Sequence, residues 1–256
     1  MKSGGFRSYC CDGQFITDLV MPEDLSGIFF ASLYCKGKIM DIAEGDPVKT
    51  WDILSYKYNN IKLVAPAQVH GSYVIDAEIK YSLPMRPEAD GILVTAESDC
   101  CASLRFADCV PVVIAGGYPA PWMLILHSGF SGTVKDITSV SISNVKSRFG
   151  VSDFKGKVWA WIGPCICKKC YCRRKDDPLT VSALKIFNGS NFLKKEDHVY
   201  FDLSGQIREQ LIYSGVADGN INIFNACTSC GHEYLYSYRA GDEKNRNFLL
   251  AGNATK

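Results

Sequence analysis

Two histidines and one cysteine stand in settings suited to chemistry: His70 in Gln68-Val69-His70-Gly71, Cys109 in Ala107-Asp108-Cys109-Val110-Pro111, and His127 in Leu126-His127-Ser128-Gly129. Each has a small or acidic neighbour and lies at the edge of an apolar run, where a rigid scaffold presents reactive groups. Two imidazoles and a thiolate form a three-ligand set for zinc, with a fourth position left for water or substrate. The same atoms also spell a Cys109 nucleophile with His70 or His127 as its base. Taken singly, each residue is more readily a packed side chain. The remaining histidines are His198, after a charged turn, and His232 in Cys-Gly-His-Glu, which reads as a loop residue or as a member of a cysteine cluster.

Twelve cysteines require an account. In a reducing compartment they mean metal, catalysis or packing rather than disulfides. Cys167-x-x-Cys170 and Cys227-x-x-Cys230 could together make a four-thiolate zinc site. The pairs lie 57 positions apart, from 170 to 227, so folding would have to join them. The preferred reading is reduced, partly buried thiols beside Lys168, Lys169, Arg173, Arg174 and Lys175. Those cations would lower thiolate pKa, and they form a basic run that is either a solvated loop or an anion-binding rim. Cys10-Cys11 and Cys100-Cys101 read as packed side chains, with Cys101 one strand from the proposed site and near enough to line it.

The elements that must position these residues follow from apolar periodicity. Strands are expected at 28–34, 61–69, 92–95, 101–106, 110–115, 122–127, 158–162, 221–224 and 234–239. Helices are expected at 46–56, opened by Asp46-Pro47, at 134–149, at 179–187 and at 203–215, the last closed by Gly215. Glycines flank the loop 128–132 between strand and helix. Strands and helices intermix without repeat or linker, so one α/β or α+β domain over 1–256 is the economical reading.

Composition narrows the function. The chain has 256 residues, 47% hydrophobic, 12% aromatic and 21% charged, with a net charge of +1. That is enough chain to bury a sizeable core and too apolar for disorder. Near-neutral charge argues against a dedicated nucleic-acid binder. No apolar run approaches the roughly 20 residues of a membrane span, and Met1–Arg7 lacks a signal peptide's apolar segment. A cytoplasmic protein with neither nucleic acid nor membrane as partner is expected.

Several motifs in order then carry a resemblance. Gln68-Val69-His70-Gly71, Ala89-Asp90-Gly91, Ala107-Asp108-Cys109-Val110-Pro111 and His127-Ser128-Gly129 are followed by Ile162-Gly163-Pro164, Cys165-Ile166 and Asp202-Leu203. Cys227-Thr228-Ser229-Cys230 and Ser237-Tyr238-Arg239 complete the series. From about residue 63 to 247 the chain resembles the laccase-domain, or YfiH-like, family. That family was first labelled multicopper polyphenol oxidase and is associated with zinc-dependent purine nucleoside phosphorolysis and adenosine deamination.

The resemblance implies an α+β, single-domain, four-layer α/β/β/α sandwich. It implies His70, Cys109 and His127 as zinc ligands, Asp108, Cys109 and His70 as catalytic residues, and Gln68, Arg239 and Arg246 as substrate-binding residues. Its partners would be a purine nucleoside and phosphate, with room for a homodimer. Zinc held this way acidifies water toward a pKa of ~7, for attack at C6 of adenosine with Asp108 as proton carrier. The alternatives are a Cys109-dependent hydrolase editing peptidoglycan precursors, or a zinc-containing nucleoside-binding module with weakened turnover. Copper is not expected, because four histidines cannot furnish a trinuclear cluster plus a blue-copper site.

Departures bear on the activity. Ser131 stands where relatives carry a loop arginine, Ala240 replaces the second arginine after Ser-Tyr, and Asn245 replaces the glycine before Arg246. A hydroxyl does not substitute for a guanidinium at an anion site. If those arginines hold phosphate, phosphorolysis suffers most and deamination least.

Overall fold

Runs such as Val110–Gly116, Trp122–Ser128 and Asn247–Asn253 are buried along their whole length. Strands of that kind must be covered on both faces, and the computed structural model covers them. It describes residues 4–154, 156–231 and 233–254, so His232 lies outside the described residues.

The N-terminal third holds β1 (Phe6–Cys11), β2 (Gln14–Leu19), β3 (Phe29–Gly37), α1 (Lys38–Ala43), α2 (Pro47–Leu54), β4 (Lys62–Val64) and β5 (Val74–Asp76). The middle holds β6 (Gly91–Thr95), β7 (Cys100–Phe106), β8 (Val110–Gly116), β9 (Trp122–Ser128), α3 (Phe130–Val134), α4 (Ile137–Phe149) and β10 (Val158–Ile162). The remainder holds β11 (Cys172–Arg174), α5 (Pro178–Ala183), β12 (Phe192–Lys195), β13 (His198–Phe201), α6 (Leu203–Tyr213), β14 (Ile221–Ile223) and β15 (Asn247–Asn253).

Two six-stranded sheets form, in the orders β1-β2-β3-β15-β7-β4 and β14-β10-β8-β9-β6-β5, with a small third sheet β11-β13-β12. Period-two alternation assigns the faces. Leu104, Leu249 and Ala251 of the first sheet meet Val113, Met123 and Ile125 of the second. On the first sheet's other face, Cys101, Phe248 and Leu250 pack on Met40, Trp51 and Leu54 of α1 and α2. On the second sheet's other face, Val112, Ile114 and Leu124 pack on Ile142 and Val145 of α4 and on Ile207 and Leu211 of α6. The result is the expected α/β/β/α order of four layers. No helix among the described residues is long and apolar enough to cross a membrane.

Several expectations need correction. The strand expected at 61–69 stops at Val64, because Pro66 has no amide to donate and Arg86 binds the carbonyls of Ala65 (2.9 Å) and Pro66 (3.0 Å). The helix expected at 134–149 is two helices, divided at Asp136, whose φ of 53° is left-handed and whose carboxylate caps Ser139 N at 3.1 Å. Residues 234–239 form no strand: their amides go to side chains, Tyr236 N to Asn247 Oδ1 (3.1 Å), Ser237 N to Asp242 Oδ2 (2.8 Å) and Arg239 N to Asp108 Oδ2 (2.8 Å). Cys10 and Cys11 are exposed on the edge strand β1 rather than packed. Cys101 is buried under α1 and α2, on the face away from the proposed site.

Candidate metal centre and cleft

The three residues singled out first do converge. One ligand atom each of His70, Cys109 and His127 can be chosen so that all lie within 4.8 Å of one another. Cys109 precedes β8 and His127 is the penultimate residue of β9, with Pro111 paired to His127 across the ladder. His70 comes from the loop after β4, its ring centroid 5.0 Å from that of His127. Adjacent strands of one sheet therefore carry two of the groups, and a loop folds over to add the third.

Asp90 organises that loop. Its carboxylate, fully buried, accepts the amides of Val69 (3.1 Å), His70 (3.0 Å) and Gly71 (2.6 Å). The same Oδ1 lies 2.8 Å from His127 Nδ1. Burial pushes the Asp90 carboxyl up, but the hydrogen bonds from His127, Gly71 and Val69 outweigh it and hold the group below its ordinary value. An ionised Asp90 accepts from Nδ1–H, which fixes the tautomer and frees His127 Nε2 as a ligand. Burial lowers the pKa of His127 as well, keeping the imidazole in its neutral, ligating form. Burial, then the carboxylates of Asp108 and Asp90, push the Cys109 thiol up to about 12. A thiol so placed is a poor nucleophile on its own, whereas a bound cation would draw off its proton.

The backbone is shaped around the three side chains. A Cβ on Gly129 would sit 2.7 Å from Cys109 Sγ and 3.1 Å from His70 Cδ2, so only glycine admits the close approach. His70 (φ 56°) and Asp108 (φ 87°) are both left-handed without being glycine, a conformation that the surrounding hydrogen bonds must hold against its cost. The chemistry of this donor set, with its oriented histidine and its glycine-sized gap, fits a three-ligand zinc site.

A cleft of about 490 Å³ opens over the centre, lined among others by Arg105, Asp108, Tyr171, Tyr238, Arg239 and Arg246. A second recess of about 230 Å³ meets it at His70 and Cys109 and is walled by Phe130, Ser131 and Arg173. Among the described residues, Arg105, Arg239 and Arg246 form no ion pair. Burial, then Arg86 and Arg246, pull the Arg105 guanidinium down to about 10, the response of a crowded cation.

The structure also places the other expected residues. Asp108 faces the cleft, its Oδ1 accepting from Thr228 Oγ1 and Ser237 Oγ, both at 2.6 Å, and its Oδ2 from Arg239 N. Gln68 lines the cleft but spends both ends of its amide on the backbone of Arg105, at 2.8 and 2.9 Å. Arg239 lies 5.7 Å from the Tyr171 ring, and Arg246 5.9 Å from that of Tyr238. Sequence reasoning gave no role to Arg105, Asp90, Gly129 or Tyr171. Arg105 did leave a signal, being the one charged residue of the strand Cys100–Phe106.

Comparisons with known proteins bear on this site. The family described as multi-copper polyphenol oxidoreductase laccase matches residues 50–250. A purine nucleoside phosphorylase of Rickettsia conorii is 32% identical over 155 residues, which are 59% of this chain and 60% of that protein. The matched stretch thus spans less than two thirds of that relative. A purine nucleoside phosphorylase of Aquifex aeolicus is 28% identical over 185 residues, 72% of this chain and 80% of that protein. Among solved structures, YlmD of Geobacillus stearothermophilus matches with a TM-score of 0.79 at 20% identity, over 97% of this chain and 98% of that one. YfiH of Bacillus licheniformis matches with a TM-score of 0.78 at 20% identity, over 96% and 98%. At such identity these two speak to the fold.

Proposed function

The chain belongs to the multi-copper polyphenol oxidoreductase laccase family, and from that premise we propose that it cleaves purine nucleosides by phosphorolysis. The carrying observation is the shared cleft: His70, Cys109 and His127 open on the same space as the guanidinium groups of Arg105, Arg239 and Arg246. The names of the relatives in Rickettsia and Aquifex support the same substrate class.

In this reading His70, Cys109 and His127 hold zinc, which when bound supplies Lewis acidity next to the reacting bond. Arg105, Arg239 and Arg246 bind phosphate through charge-assisted hydrogen bonds and aim it at the sugar. Tyr238 and Tyr171 offer ring faces to the purine. Asp108 keeps one carboxylate lone pair beyond its three accepted hydrogen bonds and exchanges a proton with the bound base. Gln68 acts from the wall of the cleft, by fixing the backbone of Arg105.

Hydrolytic deamination of adenosine is the second reading, favoured by the missing positive charges at Ser131 and Ala240. Against that loss, Arg105 adds a half-buried cation, and Arg173 lies beside Ser131 with its guanidinium 4.7 Å from the Phe130 ring centroid. Phosphorolysis is therefore placed first.

The test is product analysis with adenosine, inosine and methylthioadenosine over a phosphate series. Free purine and ribose 1-phosphate (its methylthio analogue from the third substrate) should rise with phosphate and vanish in Cys109→Ala. Inosine formed from adenosine without phosphate marks the second reading. Nucleosides that raise the melting temperature yet give no product at any phosphate concentration would overturn both and leave a binding module.

A further inference from the structure

Away from the cleft, four more thiols converge. Cys167 and Cys170 come from the turn before β11, and Cys227 and Cys230 from the turn after β14. Their sulfurs all lie within 4.8 Å of one another. Zn–S bonds of about 2.3 Å in a tetrahedron put sulfurs about 3.8 Å apart, and Cys167 Sγ and Cys230 Sγ are 3.8 Å apart. A disulfide would bring them to about 2.05 Å, and none of these cysteines is in one. The spacing suits a single ion and leaves no room for an iron–sulfur cluster among the four sulfurs.

The backbone is arranged for thiolates as well. The amides of Cys167 (3.3 Å) and Cys230 (3.4 Å) both point at Cys227 Sγ. Each pair closes a tight turn, with Cys170 N donating to Cys167 O (2.9 Å) and Gly231 N to Cys227 O (3.2 Å). A parallel bridge between Cys165 and Cys227 sets one turn beside the other. Folding thus removes the separation of 57 positions that the sequence leaves between the pairs.

We propose that Cys167, Cys170, Cys227 and Cys230 bind one zinc ion as a structural site separate from the His70–Cys109–His127 centre. Four protein ligands leave no open position, so the site does no chemistry on substrate. As the ion binds, each thiol gives up its proton to solvent and four Zn–S bonds form. The site ties together two turns that hold the cleft. Ile166 N donates to Asp108 O (3.0 Å), and Thr228 Oγ1 donates to the Asp108 carboxylate. Tyr171 follows Cys170 directly and lines the cleft. The proposal does not depend on which reaction the cleft performs.

The experiment is metal analysis of the full chain, purified under reducing conditions from zinc-supplemented culture. Wild type should carry two zinc ions per chain, and Cys230→Ser and Cys167→Ser one each, with a lower melting temperature. Cys230→His, which restores a ligand, should recover the second ion. In His127→Ala the four-thiolate ion should remain, and cobalt loaded there should give the intense sulfur-to-metal charge-transfer bands of a tetrathiolate, absent in His127→Ala/Cys230→Ser. Should the Ser variants fail to fold, the cobalt spectrum of folded His127→Ala still decides. A wild type whose zinc is fully lost in Cys109→Ala, or a His127→Ala protein that shows no such bands, overturns the proposal.

Discussion

At the scale of single residues, four positions bear on whether the centre holds metal and anion. Asp90 accepts three amides and orients His127. A carboxamide there would turn an N–H₂ toward donors that need an acceptor, so Asp90→Asn should weaken metal binding about 10–100-fold, measured by chelator competition. Gly129→Ala puts a methyl 2.7 Å from Cys109 Sγ. It should lose the metal of the His/Cys/His centre while circular dichroism still reports a folded protein; full occupancy would show that the loop yields. Arg105 and Arg246 should act on phosphate rather than nucleoside. A hydrogen bond to a charged group contributes about 1.5–3 kcal/mol, so Arg246→Gln should raise the KM for phosphate roughly 10–100-fold and leave nucleoside affinity nearly unchanged in binding measurements.

At the scale of elements, apolar patterning was a good guide wherever a strand or helix had to be buried on one face or on both. The strand that follows Cys109 and the one that carries His127 were legible because Val110–Gly116 and residues 122–126 are unbroken apolar runs. The centre itself was legible as three residues at strand edges, but its support was not. Asp90 lies 37 positions from His127 and serves it through the fold alone. Side chains that take over backbone donors also leave no periodic trace. Asn247 is the clearest case: Oδ1 accepts from Tyr236 N, while Nδ2 donates to Phe106 O (3.1 Å) and Tyr236 O (3.0 Å). It keeps 234–239 from becoming a strand and sets where Ser237 and Arg239 reach Asp108. Asn247→Ala strands those buried groups at a cost of about 1–3 kcal/mol. The melting temperature should drop by several degrees, and the phosphate KM should rise with it. A stability loss with unchanged kinetics would mean that the Asp108 contacts position the segment unaided.

At the scale of the whole molecule, the cleft lies where the two sheets meet. Arg105 belongs to β7 of the first sheet, while Cys109 and His127 flank or end strands of the second. Arg105 directly follows Leu104, which is 1% exposed in the layer of side chains between the sheets, so the spacing of that layer bears on where Arg105 stands relative to His70, Cys109 and His127. Leu211 of α6 is as deeply buried but packs in the helix layer on the far face of the second sheet. Truncating either to alanine should destabilise the protein by about 2–5 kcal/mol, a fall of roughly 2–4 °C per kcal/mol for a chain of this size. Function should separate them. Leu104→Ala lets the sheets close on a cavity directly beside Arg105, and misplacing a binding group by even ~1 Å can cost 10²-fold, so its kcat/KM should fall well below that of Leu211→Ala at matched fractions folded. Steady-state kinetics on the two variants, at a temperature where both are folded, is the check. Equal kcat/KM in the two would mean that Arg105 is held by its own hydrogen bond to Gly45 O at 3.1 Å, and not by the spacing of the layers.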